Sequence, residues 1–389
     1  MLGLDWLNFF LADVQSGIGP FFAVYLAGRH WNEQNIGIAL TVGGIAGIAM
    51  QTPTGWFVDR THSKRALVAV GVSALAASAV MILLFPSFWA ILLAQIFMGA
   101  ANSIFTPAIC AISLGIVGHD AFDCRQGRNQ TFNSSGNLTA ALFMGLIGYW
   151  ISNRGIFFFV FLSALPTFFM LWLIRPEEIS YEIARESDEG TTISLLEIFS
   201  NRLIITFLIC AALFHFANAA MLPLLGEMLT HGQGRSSMMF MSACVVTTQL
   251  VIAVFASWCG RKAKNWGRKP LLLIAFGVLP FRGILYTMTN NSTLLIAIQI
   301  LDGVAGAIFS VVSVLVIADL TRGTGRFNVT LGAMTTAASV GAALSQSIAG
   351  TIVHHFSFRA GFQFLASIAM VAYAVLYVFM PETRDHRSD

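Results

Sequence analysis

Charge is what this chain lacks most. Asp, Glu, Lys and Arg together make up 11% of its 389 residues, against about 25% in a soluble domain. That scarcity excludes a globule with an ordinary water-facing surface. Cysteine is also sparse. The five cysteines (Cys110, Cys124, Cys210, Cys244 and Cys259) lie in apolar stretches or in loops expected in the cytoplasm. There is no CxxC pair and no His-rich tract, so neither a disulfide framework nor a metal site is expected. A net charge of +3 is small and is distributed by loop, which argues against a nucleic-acid partner. No nucleophile–base set and no GxxxxGK(S/T) phosphate loop stands out, so neither an enzyme nor a cofactor is expected.

What is present is apolar length. Hydrophobic residues account for 56% of the chain, in runs of roughly 20 residues, each enough to cross a bilayer as a helix. The runs predict spans at 6–27, 35–57, 66–86, 89–116, 130–152 and 155–174, then at 202–225, 236–259, 270–289, 293–319, 329–353 and 359–380. Strands are excluded because an open sheet cannot satisfy its backbone in lipid. The first run lacks a basic leader and a cleavage site, so it is read as a span rather than a signal peptide. The fold class expected is therefore all-α and membrane-embedded, with domains at 1–174 and 202–389 joined by a polar linker, 175–201. That linker carries seven acidic residues and an amphipathic piece at Ile193–Phe199.

Lysine and arginine set the expected orientation. With both termini in the cytoplasm, 17 of the 22 basic residues fall inside and four (Arg29, Arg154, Arg235, Arg359) outside. Arg282 alone remains within a span. A multi-pass protein of the inner (plasma) membrane, working as a monomer, is expected.

The two halves repeat. Gly55-Trp-Phe-Val-Asp59-Arg60-Thr-His62-Ser63-Lys64-Arg65-Ala-Leu67 has its counterpart 205 residues on, in the loop from Gly260 through Gly267, Arg268 and Lys269 to Leu272. Gln95, Gly99 and Phe105 match Gln299, Gly303 and Phe309 at an offset of 204, Gln15 and Pro20 match Asn218 and Pro223 at 203, and Gly148 matches Gly350 at 202. Near-equal offsets in four helices point to two parallel copies related by an axis along the membrane normal.

The first loop resembles the signature G-x-x-x-D-R-x-G-R-K-x-x-L between helices 2 and 3 of the major facilitator superfamily (MFS), in its twelve-helix bacterial type. Gly55, Asp59, Arg60, Lys64 and Leu67 match, while His62 and Ser63 depart; the second copy has Lys264 and Asn265 in place of the acid and the arginine. The resemblance spans the chain. It implies two pseudo-symmetric six-helix bundles rocking about a central cavity, driven by an ion gradient. It also implies a cytoplasmic gate, for which Gly55, Asp59, Arg60, Lys64, Arg128, Asp319 and Arg322 are the candidates. Asp59 is expected to pair with Arg128, and Asp319 to stand one turn from Arg322. Gln95 occupies the place where proton-coupled drug exporters often carry an arginine.

Within the spans, polar residues are the functional candidates, because burying them in lipid is costly. Asp13 lies roughly 12 Å into the first span. It is read as a proton or cation site, or else as a structural hydrogen bond. Asp302 is either a proton or substrate site or the partner of Arg282, and Arg282 is a structural charge that pairs or snorkels to the interface. His215, near the repeat position of Asp13, is a third coupling candidate. Glu227 is expected at a solvated outer end. Gln15, Asn102, Asn133, Asn137, Asn218, Gln249, Thr335 and Ser339 are candidates to line a substrate cavity, and Met238, Met239 and Met241 cluster in the eighth span. The leading expectation is proton-coupled export of a small organic or amphipathic compound. The alternative is efflux of a metal ion or metal chelate, using Asp13, His215 and the methionines.

Overall fold

The computed structural model describes residues 2–16, 19–118, 122–180, 201–233, 236–321 and 327–384. Its described helices longer than one turn are α1 (Leu2–Ser16), α2 (Pro20–Ala27), α3 (Glu33–Arg60), α4 (Lys64–Leu84), α5 (Phe88–Val117), α6 (Phe122–Trp150) and α7 (Gly155–Leu173). The second set is α8 (Arg202–Ala219), α9 (Met221–Gln233), α10 (Ser236–Trp266), α11 (Lys269–Met288), α12 (Ser292–Leu320), α13 (Phe327–His355) and α14 (Phe358–Phe379). Ten helical stretches among the described residues are long and apolar enough to cross a membrane. At the places of the second and fifth predicted spans stand α3 and α6, of 28 and 29 residues. The amphipathic piece expected at 193–199 lies outside the described residues.

The chain forms two compact units. The first contains Met1–Arg29, Val42–Thr191 and Gln233–Ser242; the second contains His30–Thr41, Thr192–Gly232 and Ala243–Asp389. The units thus exchange short pieces relative to the sequence halves, the start of α3 joining the second and the start of α10 the first.

The repeat is visible in the packing. In the first unit α1 packs on α6 and α7, and α4 on α5 and α7. In the second, α8 packs on α13 and α14, and α11 on α12 and α14. The same close approach is made in each. A Cβ at Gly136 would stand 2.2 Å from the Phe9 carbonyl oxygen, and one at Gly341 2.1 Å from that of Ala212. Lipid gives helices little hydrophobic reason to associate, so small residues that let backbones touch carry the contact. The core of the second unit adds rings: Phe214 lies 4.3 Å from Phe309 and 4.8 Å from Phe276, centroid to centroid.

The first span of each half is broken. Pro20 starts α2 directly after Gly19, whose backbone is not helical (φ −91°, ψ −129°), and one residue separates α8 from α9, whose third residue is Pro223. Proline cannot donate to the preceding turn, and the two prolines occupy matching repeat positions. A carbonyl freed at the second break is satisfied from a neighbouring helix, Gln346 Nε2 donating to the Ala219 oxygen at 3.0 Å.

Candidate functional site

Next to the break in α8, four helices converge on one buried network. Arg282, on α11, is 0% exposed. Its Nη1 donates both to Asp302 on α12 and to the Asn218 side-chain oxygen on α8. Its Nε donates to the Tyr286 hydroxyl, 2.9 Å, which also accepts from Gln299 Nε2 at 2.6 Å. Thr248 Oγ1, from α10, donates to the second Asp302 oxygen at 3.3 Å. A cation this deep could not be kept without a partner. Snorkelling of Arg282 is therefore corrected: the guanidinium lies beyond reach of water and is held by a counter-ion one helix away. The network belongs to the second unit alone, because the first has Met98 where the second has Asp302.

The first unit contains a polar cleft of about 360 Å³ between α1, α5 and α6. Amides dominate its wall: Asn8, Gln15, Gln126, Asn129, Gln130 and Asn133, with Thr106. Gln15 Nε2 donates to Asn102 at 2.9 Å, and Asn137 Nδ2 to Asn133 at 3.0 Å. Four of the predicted cavity residues therefore stand on or beside this cleft, and Asn218 is in the ion network. Gln249 and Ser339 are partly buried, and Thr335 is exposed with its hydroxyl bonded back to Leu331 of its own helix. Asn8, Gln126, Asn129 and Gln130 were missed. The last three form an i, i+3, i+4, i+7 stripe with Asn133 along α6, but that helix begins eight residues before the apolar run that predicted it.

Asp13 is 4% exposed and its Oδ1 has no hydrogen-bond partner among the described residues. At 100° per residue it sits about 200° around α1 from both Leu11 and Gln15, away from the cleft face. It belongs to the first unit, and His215 and Asp302 belong to the second. The described contacts of His215 are aromatic, 5.6 Å from Phe214 and 5.1 Å from Phe309. Glu227 is corrected from solvated to buried, at 2% exposure.

Two of the gate candidates, Arg128 and Asp319, form ion pairs among the described residues. Arg128 binds Asp5 at 2.6 Å, and Arg125 binds the other Asp5 oxygen at 2.5 Å. Asp5 is 0% exposed, and the arginines are three positions apart, which puts both on one face of α6. Asn129 accepts from Arg125 Nε at 2.8 Å and from Asn8 at 3.2 Å, which ties this cluster to the cleft. The Asp59 side chain lies outside the described residues, as does Arg322. Asp319 binds Arg268 of the second loop copy, Nε to Oδ2, at 2.8 Å. Lys64 is 2% exposed and donates to the Val58 carbonyl at the end of α3, 2.8 Å; Gly55 and Arg60 close that same helix, Gly55 with no atom near the place of a Cβ and Arg60 exposed. Gly267 turns the second loop at φ 92°, and Glu382 then accepts from the backbone N–H groups of Arg268 (2.8 Å) and Lys269 (3.1 Å). Partial burial works against the Glu382 charge, but the N–H groups of Arg268, Arg384, Lys269 and Thr383 outweigh it and hold the carboxyl below its usual range.

Among the described residues, no group of three His, Cys, Asp or Glu side chains stands ready to hold a metal ion. Met238 and Met241 are fully buried, Met238 against Gly148, and Met239 is half exposed. The metal alternative thus has no ligand set among them.

Known proteins agree with this architecture. The sequence model of the Major Facilitator Superfamily matches residues 5–281 and 208–389. The uncharacterized MFS-type transporter Rv2456c of Mycobacterium tuberculosis is 41% identical, over 98% of this chain and 93% of its own length. The crystal structure of the nucleoside transporter NupG superposes with a TM-score of 0.83 at 17% identity, covering 97% of this chain and 99% of that one. A D-xylose-proton symporter gives 0.74 at 14% identity, covering 100% and 98%. At those identities the two structures speak for the fold alone; together with the sequence match they establish that the chain is a membrane transporter, not an enzyme, and belongs to the Major Facilitator Superfamily.

Proposed function

We propose that the protein moves a small polar organic solute across the plasma membrane in exchange for protons, exporting it by alternating access as a monomer with both termini in the cytoplasm. Residues 1–174 and 202–389 would be the rocking halves and 175–201 their tether. The observation that carries the reading is the buried Arg282–Asp302 pair, joined through Asn218 to the broken seventh span. Gly/Pro-interrupted helices at matching places in two halves point to a transporter's binding site. An ionisable pair at such a place can be remodelled by one proton. Protonating Asp302 cancels the charge that holds Arg282, and the guanidinium then leans on Asn218, at the break itself. That makes a two-state element on which a proton and a solute could act in common.

The amide cleft favours a substrate with hydrogen-bonding groups over a purely greasy one, and about 360 Å³ is within the usual size of small-molecule sites. NupG is a nucleoside transporter and the other neighbour a D-xylose-proton symporter; both solutes are polar, which supports the same class here. Asp13 is proposed as a second proton-carrying group, in the first unit. His215 is proposed as an aromatic wall with Phe309 rather than a proton carrier.

The test is a solute panel of nucleosides, sugars and amphipathic cations, offered to proteoliposomes under an imposed pH gradient. Accumulation in vesicles that are acid inside marks exchange against protons. Accumulation only in vesicles that are alkaline inside marks symport and removes export. Uptake indifferent to the gradient removes proton coupling altogether.

A further inference from the structure

The first turns of α3 pack inside the second unit, along α13. Two glycines bring the backbones into contact: a Cβ at Gly37 would stand 2.2 Å from the Gln346 carbonyl oxygen, and one at Gly350 2.4 Å from that of Glu33. Thr41 Oγ1 donates to the Ala343 carbonyl at 2.6 Å. At the end of this seam stand titratable groups from three helices. Glu33 opens α3. His354, in the last turn of α13, places Nδ1 3.7 Å from Glu33 Oε2, and the ring of His355 lies 5.1 Å from its own. Glu227, from α9, is 2% exposed, and its charge and that of Glu33 act on one another. Glu227 Oε2 has no hydrogen-bond partner among the described residues. The transport reading above uses none of these groups.

We propose that Glu227, Glu33 and His354 form a proton-binding site that latches the first turns of α3 onto α13. A second carboxylate charge, buried beside the first with an oxygen left unbonded, is costly. In the latched packing Glu227 is the neutral acid, and Glu33 faces His354 from the end of α13. Release of the Glu227 proton to water sets two like charges together. The seam therefore loosens as pH rises. By proton linkage the latched population changes by up to about tenfold per pH unit for each proton released. On the orientation proposed above, this end faces the exterior, and an acid exterior holds the latch shut.

The experiment is hydrogen exchange on the full-length protein in nanodiscs, read over residues 30–41 and 343–356 at about pH 5.5 and about pH 8 after correction for intrinsic rates. In the wild type, protection of both segments falls about tenfold or more at the higher pH. In Glu227→Gln it stays high at both. Should that variant not fold, Glu33→Gln removes the like charge from the other side and must shrink the response. Asp302→Asn leaves the response in place, which separates this latch from the coupling pair. Equal wild-type protection at the two pH values would overturn the proposal, and so would a Glu227→Gln variant that follows the wild type.

Discussion

Asp302→Asn leaves the shape of the α8–α11–α12 junction nearly unchanged and removes one charge. Arg282 then sits at 0% exposure with only neutral acceptors: the Asn218 side-chain oxygen, the Tyr286 hydroxyl and the oxygen of the introduced amide. Removing one member of a buried ion pair costs about 3–5 kcal/mol, because the other charge remains buried and uncompensated. The neutral acceptors that remain put the expected loss at the lower end, about 3 kcal/mol. Replacing both members by apolar groups of similar volume is often neutral, so Arg282→Met with Asp302→Leu is expected within about 1–2 kcal/mol of the wild type. The loss of the Asn218 and Tyr286 bonds accounts for that remainder. The assay is reversible unfolding in mixed micelles, with the single variants and the double compared in one cycle. A single Asp302→Asn variant as stable as the wild type would refute the reasoning, as would a double variant no more stable than either single.

Asp5→Ala strands Arg125, which is 5% exposed, and costs about 3–5 kcal/mol in the same assay; its exposed partner Arg128 contributes little, and Arg128→Ala is expected to cost under about 1 kcal/mol. Gly341→Val drives a side chain into the Ala212 carbonyl and is expected to cost about 1–3 kcal/mol, or to abolish folded expression, as is Gly136→Val at the matching contact. Glu382→Gln loosens the start of α11. Since the folded carboxyl lies below its ordinary value of 4.5, its contribution is complete above that value and is lost as pH falls through the folded one. Wild type and variant should therefore differ in melting temperature at neutral pH and converge in acid.

Most of the fold was legible because a bilayer constrains sequence so heavily. Apolar length located the spans, and the repeat offsets tied Gln15 to Asn218 and Pro20 to Pro223, the places where both first spans break. Ends were less legible. Helices such as α6 extend past the apolar run, and that polar extension carries Arg125, Arg128 and Asn129, so the Asp5 cluster and much of the amide cleft were overlooked. Partner choice was least legible. Nothing in the sequence pointed from Asp319 to Arg268, a partner 51 positions earlier, because only packing brings the start of α11 beside the end of α12. The Arg282–Asp302 pair was foreseen as one of two options, and burial decided it: a side chain about one and a half turns from the end of α11 could have reached water had Tyr286 and Asn218 not enclosed it.

The two halves are therefore alike in scaffold and unlike in charge. The same glycines and prolines shape both, but the first unit holds an amide cleft over Asp5 and the second a buried ion pair at its broken helix. Transport, on the reading proposed above, resides in that difference.

The central claim is that Asp302 carries the proton, and the most direct measurement compares wild type and Asp302→Asn in the same proteoliposomes with a solute found by the panel. Asp302→Asn is expected still to exchange labelled for unlabelled solute across the membrane at equal pH, but no longer to accumulate it when a pH gradient is imposed. Gradient-driven accumulation equal to that of the wild type would contradict the claim.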